Sequence, residues 1–138
     1  MTLTRRDALA LGLGATVMAM LPMGASAAAE DAIAEFTGGA AVGDAGITLT
    51  APEIAENGNT VPVSVEAPGA VEIRVYATGN PTPGVAGFVF GPLAASHSAS
   101  TRIRLAGTQD VVAVAKLADG SFVQASKTVK VTIGGCGG

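Results

Sequence analysis

The sequence is poor in the side chains that bind metal ions or form disulfides. It contains one histidine, His97, and one cysteine, Cys136, and its four methionines all lie within the first 23 residues. Zinc sites usually take three or four Cys and His ligands, and copper sites combine His with Cys or Met. We therefore expect no metal and no cofactor in a single chain. An internal disulfide is impossible, because there is no second cysteine.

Large aromatic side chains are also scarce. Tryptophan is absent and aromatic residues make up 4% of the chain, whereas hydrophobic residues make up 49%. The core must therefore be built from Val, Ile, Leu and Ala, and the 19 glycines indicate many turns between short elements. A chain of 138 residues is expected to form one domain, and this composition favours β structure.

The first segment has the pattern of an export signal. Arg5 and Arg6 precede an apolar stretch from Ala8 to Leu21, and Ala25-Ser26-Ala27 follows as a small-x-small cleavage site. The Gly- and Ala-rich stretch favours the twin-arginine route, with the general secretion route as the alternative. At 14 residues the stretch is too short to span a bilayer, so we expect no membrane anchor. Residues 1–27 are predicted to be a signal peptide, which places the mature protein in the periplasm.

Positive charge is scarce once this signal peptide is removed. Its loss takes away Arg5, Arg6 and Asp7, so that six of the eight basic and ten of the eleven acidic residues remain. The mature chain then has a net charge of −4. Because binding to nucleic acid depends on positive charge, nucleic acid is a poor candidate partner.

The mature chain alternates apolar and polar residues in seven runs that are separated by turn signals. This spacing predicts an all-β fold, an immunoglobulin-like antiparallel β-sandwich over residues 47–133. A short amphipathic helix is predicted from Glu30 to Phe36, packed on the sandwich or on a partner, with a flexible lead-in to residue 46. The predicted strands are Ile47–Thr50, Thr60–Glu66, Val71–Tyr76, Phe88–Phe90, Ser100–Leu105, Val111–Leu117 and Phe122–Ile133.

Two positions predict local backbone features. Asp119-Gly120 lies between two strong strand patterns and predicts a hairpin with a two-residue type I′ turn. Pro62 lies inside a predicted strand. Because proline has no N–H to donate, its strand is expected to be an edge or to contain a bulge there.

Other residues that invite functional roles have simpler interpretations. Arg102 and Arg104 alternate along one strand and are interpreted as a solvated face. His97 is interpreted as a surface-loop residue and not as an acid or base. The apolar segments Phe88–Phe90 and Val111–Val114 are expected to belong to the core or to a subunit interface.

The chain ends in Gly134-Gly135-Cys136-Gly137-Gly138, directly after the last predicted strand. From Ile133, three residues reach at most about 10 to 11 Å. The glycines leave the thiol without bulky neighbours and give the arm free φ and ψ angles. This geometry is typical of a group that must enter narrow pockets.

Four interpretations of this arm are open. It is a disordered terminus with an incidental cysteine, a thiol that carries a covalent group between enzymes, a reactive terminal carboxylate like that of ubiquitin-like sulfur carriers, or a cysteine that only links subunits of an interaction module by a disulfide. The second is favoured, because a single exposed thiol in an exported protein otherwise only risks oxidation. The third needs nucleotide chemistry in the cytoplasm, against which the export signal argues.

From the leader, through Ile54-Ala55-Glu56-Asn57-Gly58-Asn59-Thr60-Val61-Pro62 and the strand pattern to the glycine tail, the chain resembles the SoxY family. Members of this family are subunits of the SoxYZ sulfur-carrier complex of bacterial thiosulfate oxidation. The resemblance implies an immunoglobulin-like domain paired with a SoxZ-like subunit as a heterodimer. It implies a carrier and not an enzyme, with Cys136 as the covalent attachment point on a flexible arm formed by Gly134, Gly135, Gly137 and Gly138.

The resemblance also implies three partner enzymes. A c-type cytochrome enzyme couples thiosulfate to the cysteine and gives a cysteine S-thiosulfonate. A hydrolase releases sulfate and leaves a persulfide. Where the set is complete, a sulfur dehydrogenase with molybdenum and haem oxidises the outer sulfur, and the hydrolase cleaves again.

Overall fold

The structure, a computed structural model, describes residues 24–133. Most of the predicted signal peptide and the whole predicted arm, residues 134–138, lie outside this range. Within it, the chain forms one helix and nine strands. These are α1 Gly24–Thr37, β1 Val42–Gly43, β2 Thr48–Thr50, β3 Ile54–Ala55, β4 Val61–Glu66, β5 Ala70–Ala77, β6 Gly84–Val89, β7 Ser98–Ile103, β8 Gln109–Leu117 and β9 Phe122–Val131.

The strands form two sheets that pack face to face, which confirms the predicted β-sandwich. The larger sheet has the order β1-β9-β8-β5-β6, with β3 also paired to β9, and the smaller has the order β2-β4-β7. All seven predicted strands are present. The predicted strands pair antiparallel, as expected, and the structure adds the short strands β1 and β3, which pair with β9 in parallel. With two residues each, these strands are too short to show any periodicity.

Small aliphatic side chains fill the space between the sheets, as the composition predicted. In β4 the burial alternates residue by residue, with Val61, Val63 and Val65 inward and Pro62 and Glu66 outward. The alternation arises because successive side chains of a strand point to opposite faces. The largest fully buried side chains of the described residues are Ile73, Leu105, Val61, Val75, Val111, Val114 and Val129. Val111–Val114 is thus a core segment.

Helix α1 covers part of the outer face of the larger sheet. The Phe36 ring meets the Phe122 ring edge-on at 5.5 Å, and the Arg74 guanidinium lies 4.4 Å above the Phe36 ring. Ile33 packs in the same cluster, against Tyr76 and Val114 among others. The helix therefore packs on the sandwich, which was one of the two predicted alternatives. It is longer than predicted and runs through the predicted cleavage site, where cleavage stays a prediction.

The hairpin between β8 and β9 is present, but the predicted type I′ turn was wrong. Gly120 has a φ of +87°, while Asp119 has no positive φ. The Gly120 N–H donates to Leu117 O at 2.9 Å, and the Leu117 N–H donates to Ser121 O at 2.8 Å. This is a type I turn followed by a left-handed glycine. The Asp119 carboxylate accepts hydrogen bonds from the side chain and backbone of Ser121, which lowers the pKa of Asp119.

Gly120→Ala is expected to lower the free energy of unfolding by about 1 kcal/mol, because an L side chain is strained at a positive φ. The measurement is the midpoint of urea denaturation. Gly91→Ala is the matched control, since Gly91 has no positive φ and an added Cβ would meet no atom within 4 Å. Equal midpoints for the two variants would contradict the assigned turn.

Pro62 occupies a locally open edge, as predicted. Strand β2 pairs only with residues 64–66 of β4, so it ends before Pro62, and β7 pairs along the other side of β4. The Ala67 N–H donates to His97 O at 3.0 Å, which makes the odd-numbered residues of β4 those bonded to β7. The nitrogen of Pro62 therefore faces the open side, where no strand of the described residues requires a donor.

Candidate functional site

The candidate site of the sequence analysis, Cys136 with its four glycines, lies outside the described residues. The structure does describe the root of this arm, which we define as residues 130–133 at the end of β9. Thr132 and Ile133 are exposed, and Ile133 is the last described residue. How this root is held determines where residues 134–138 begin.

One side of the arm root is bonded to the segment 53–58. The Lys130 N–H donates to Glu53 O at 2.9 Å, and the Thr132 N–H donates to Ala55 O at 3.0 Å. The Thr132 hydroxyl also donates to Glu56 O at 3.1 Å. This segment contains the start of the Ile54–Pro62 motif that the sequence analysis matched to a family. The start of that motif therefore holds the arm root in place.

Gly58 connects the arm root to the second sheet. Its N–H donates to Ile133 O, and its own carbonyl accepts from the Leu105 N–H, both at 2.7 Å. Leu105 follows β7 and is fully buried in the core. The buried Gly58 thus links the Ile133 carbonyl to Leu105 by hydrogen bonds. Through it the arm root is connected to both sheets of the sandwich.

Thr108 holds the arm root from the other side. Its hydroxyl accepts a hydrogen bond from the Val131 N–H at 2.9 Å. The neighbouring Gln109 belongs to a buried polar cluster, and its Nε2 donates to Asn80 Oδ1 at 2.9 Å. Hydrogen bonds on both sides of β9 therefore fix the root up to Ile133.

The buried cluster around Asn80 was missed by the sequence analysis, although Asn80 lies in the turn that follows β5. Asn80 is 4% exposed, donates to Arg104 O at 2.7 Å and accepts from the Ala106 N–H at 2.9 Å. Gln109 accepts from the Gly79 N–H at 2.8 Å. The partners of the Asn80 side chain lie 24 to 29 residues away in the sequence. No local sequence pattern signals contacts of that kind.

His97 is in a loop, as predicted, but it is not simply a surface residue. Its ring is half-buried, Nδ1 lies 2.6 Å from Ala70 O, and the ring centroid lies 5.6 Å from that of Phe90. The ring therefore fastens the loop before β7 to the start of β5. Arg102 and Arg104 are exposed, in agreement with a solvated face.

Thr132→Val is expected to loosen the arm root with little effect on global stability. The change removes the hydroxyl contact to Glu56 O but keeps the backbone bond to Ala55 O. We expect amide hydrogen exchange at residues 130–133 to become about five- to ten-fold faster. Thr128→Val, which removes a hydroxyl bonded to Asp110 Oδ1 on the same strand, is the control and should leave these amides unchanged. Equal exchange in both variants would show that the hydroxyl of Thr132 does not hold the root.

The described residues offer little else of a catalytic kind. No three His, Cys, Asp or Glu side chains within residues 24–133 are placed to hold a metal ion. In the same range, no helix has the length and apolar character needed to cross a membrane.

Comparison with known proteins gives two findings at the level of family and one at the level of fold. A family model described as "Sulfur oxidation protein SoxY" matches residues 33–136. The solved structure of the sulfur carrier protein SoxY from Chlorobium limicola f thiosulfatophilum is 37% identical, with a TM-score of 0.65, and covers 78% of this chain and 99% of that chain. A superoxide reductase (neelaredoxin) from Ignicoccus hospitalis is 18% identical, with a TM-score of 0.55, and covers 62% of this chain and 79% of that chain. At that identity the likeness shows the fold alone. No curated protein matches the chain.

Proposed function

Because the chain belongs to the SoxY family of sulfur oxidation proteins, we propose that it carries sulfur intermediates covalently on Cys136 while partner enzymes act on them. The observation that carries this proposal is the extent of the family match. It spans residues 33–136 and therefore reaches the only cysteine of the chain. The relative of known structure is named a sulfur carrier protein, which supports the same role here.

The cycle begins with oxidative coupling. The Cys136 thiol loses its proton, its sulfur bonds to the outer sulfur of thiosulfate, and two electrons pass to a c-type cytochrome enzyme. The product is a cysteine S-thiosulfonate. A hydrolase then adds water across the bond between the terminal sulfonate and its neighbouring sulfur, releases sulfate and leaves a persulfide on Cys136. A sulfur dehydrogenase then removes six electrons from the persulfide while three water molecules supply oxygen to its outer sulfur, which becomes a sulfonate. A second hydrolysis releases this group as sulfate and restores the thiol.

In this scheme the chain supplies position and reach, and the chemistry belongs to the partners. Cysteine suits this task because sulfur–sulfur bonds form and exchange through thiolate attack without any change in the scaffold. The root fixed by Gly58 and Thr108 gives the arm a defined origin. From there three residues allow the Cα atom of Cys136 to lie at most about 10 to 11 Å away. This reach fits a slim arm that enters the pockets of several enzymes in turn.

The proposed compartment is the periplasm, and the proposed assembly is a heterodimer with a SoxZ-like subunit. The paired Arg5 and Arg6 before the apolar stretch support export by the twin-arginine route. That route moves folded proteins, so a partner without its own signal travels bound to this chain.

The test is the intact mass of native protein from the periplasm, measured with and without a reductant. We expect a thiosulfonate or persulfide mass increment on the mature chain that the reductant removes. A disulfide-linked dimer as the only modified species would instead favour an interaction module, and an unmodified chain would overturn the carrier function.

A further inference from the structure

Asn57 and Gly58 form an Asn-Gly pair, and no other asparagine of the sequence precedes a glycine. Asparagine is chemically labile, because the backbone nitrogen of the next residue can attack the side-chain amide and close a succinimide ring. A following glycine favours this closure, since it has no side chain to obstruct the ring. The pair lies in the segment that bonds to the arm root. A reaction there would therefore alter how the root is held.

The Asn57 side chain is placed for this reaction. Asn57 is exposed, so water reaches its amide group and ammonia can leave. Its Oδ1 accepts a hydrogen bond from the Asn59 N–H at 3.0 Å. Negative charge develops on this oxygen when the amide carbon is attacked, and a fixed donor stabilises such charge. The amide carbon is therefore both accessible and polarised.

The attacking nitrogen, in contrast, is restrained. Gly58 is buried, and its N–H donates to Ile133 O at 2.7 Å. The nitrogen must lose this proton before it attacks, and a buried, hydrogen-bonded amide loses its proton only when the structure opens locally. The Leu105 N–H donates to the Gly58 carbonyl, also at 2.7 Å, and holds Gly58 from its other side. The folded chain thus blocks the reaction at the nitrogen and not at the side chain.

We propose that Asn57 is a deamidation site gated by the arm root, which reacts only when the hydrogen bond between the Gly58 N–H and Ile133 O opens. The Gly58 nitrogen loses its proton and bonds to Cγ of Asn57, the bond from Cγ to Nδ2 breaks, and ammonia leaves with the released proton. Water then opens the succinimide at one of its two carbonyl groups and gives aspartate or isoaspartate at position 57. No electrons are transferred, so the reaction needs no reactant beyond water. The inference is independent of the chemistry proposed for Cys136.

An isoaspartate at position 57 releases the end of the arm root. Its backbone runs through Cβ and is one atom longer before Gly58. The two hydrogen bonds of Gly58, to Ile133 and Leu105, cannot then both keep their length, because they fit the shorter backbone. Strand β9 stays in the sheet, since it pairs with β8 along its other side. The product therefore frees Ile133 and leaves the sandwich folded.

The first test compares the deamidation rate of the mature full-length protein with that of a synthetic peptide of residues 53–62, at the same mildly alkaline pH and temperature. Peptide mapping by mass spectrometry measures the fraction of chains in which oxygen has replaced nitrogen at Asn57. We expect the protein to react at least about ten-fold more slowly than the peptide, because the root opens rarely. Equal rates in protein and peptide would overturn the gate.

The second test asks whether deamidation follows the opening of the root. Thr132→Val, which removes the hydroxyl contact to Glu56 O, is expected to raise the deamidation rate and the amide exchange of Gly58 by the same factor, about five- to ten-fold. Thr128→Val is the matched control and should leave both rates unchanged. Low concentrations of urea, which favour opening in the wild type, should also raise the two rates together. A change in one rate without the other, in any of these cases, would overturn the gate.

The third test concerns the product. Chains with isoaspartate at position 57 are expected to exchange the Gly58 amide about ten-fold faster than unreacted chains. Asn57→Asp is the control for charge, because it adds the same carboxylate to a backbone of normal length, and it should exchange as the wild type does. Equal exchange in the isoaspartate form and in Asn57→Asp would contradict the release of the root.

Discussion

Cys136→Ser is expected to abolish the covalent sulfur adduct completely, while folding and partner binding remain intact. The thiolate is the group that forms and exchanges sulfur–sulfur bonds, and a serine ester would hydrolyse and could not hold sulfane sulfur. The described sandwich is complete at Ile133, so the free energy of unfolding should change by less than about 0.5 kcal/mol. The measurement is the intact mass of the variant after incubation with thiosulfate and the attaching cytochrome enzyme.

Gly138→Ser is the control for this experiment, because it alters the same arm and keeps the thiol. It should accept the adduct as the wild type does. An adduct found on the Cys136→Ser variant would contradict the proposal. If that adduct mapped to Gly138, the terminal carboxylate would be the attachment point instead.

Asn80→Ala is expected to lower the free energy of unfolding by about 2 to 3 kcal/mol and the Tm by roughly 10 °C. The variant removes the acceptor of the Ala106 N–H, the donor to Arg104 O and one partner of the Gln109 side chain. Because this cluster is buried, water does not replace these partners at full strength. Thermal unfolding followed by circular dichroism measures the change.

Asn57→Ala is the matched control, since Asn57 is exposed and its side chain accepts one hydrogen bond from the Asn59 N–H at 3.0 Å. Its cost should be about 0.5 kcal/mol or less. If both variants lowered the free energy of unfolding by similar amounts, burial of the Asn80 cluster would contribute nothing to stability. In Asn80→Ala alone, exchange of the Val131 amide should also rise, because Thr108, its partner, adjoins Gln109.

The sandwich could be predicted from the sequence because its signals are local and repeated. Alternation along Val61–Glu66 or Gln109–Leu117 extends over several residues and is read directly. Strand β6 was predicted only at its end, as Phe88–Phe90, although it begins at Gly84. Gly84 and Gly87 have low strand propensity, so they conceal the first half of the strand.

The turn after β8 shows a different limit. Asp-Gly is typical of a type I′ turn, but a type I turn followed by a left-handed glycine places the same two residues in the same order. The φ of Asp119, which is not positive, and the hydrogen bonds of Leu117 separate the two possibilities. The pair therefore predicted the hairpin and not its backbone angles.

The arm root depends on contacts that no local pattern records. Gly58 and Ile133 are 75 residues apart in the sequence and are joined by one hydrogen bond. The Ile54–Pro62 motif was recognised only as part of a family resemblance, and its structural role needed the packed chain. Cys136, in contrast, was predicted from its position in the glycine tail and from the family resemblance, and it stays a prediction because it lies outside the described residues.

Pro62 also affects how a strand from another molecule of this protein can pair with β4. Beyond the end of β2, a strand from another molecule could continue along the open side of β4. At residue 62 a carbonyl of that strand would find no N–H donor, because proline has none. Its hydrogen-bond ladder would therefore stop after one or two residues. Growth of an intermolecular ribbon along β4 is thereby terminated, whereas β2 and β7 remain the edges of the smaller sheet.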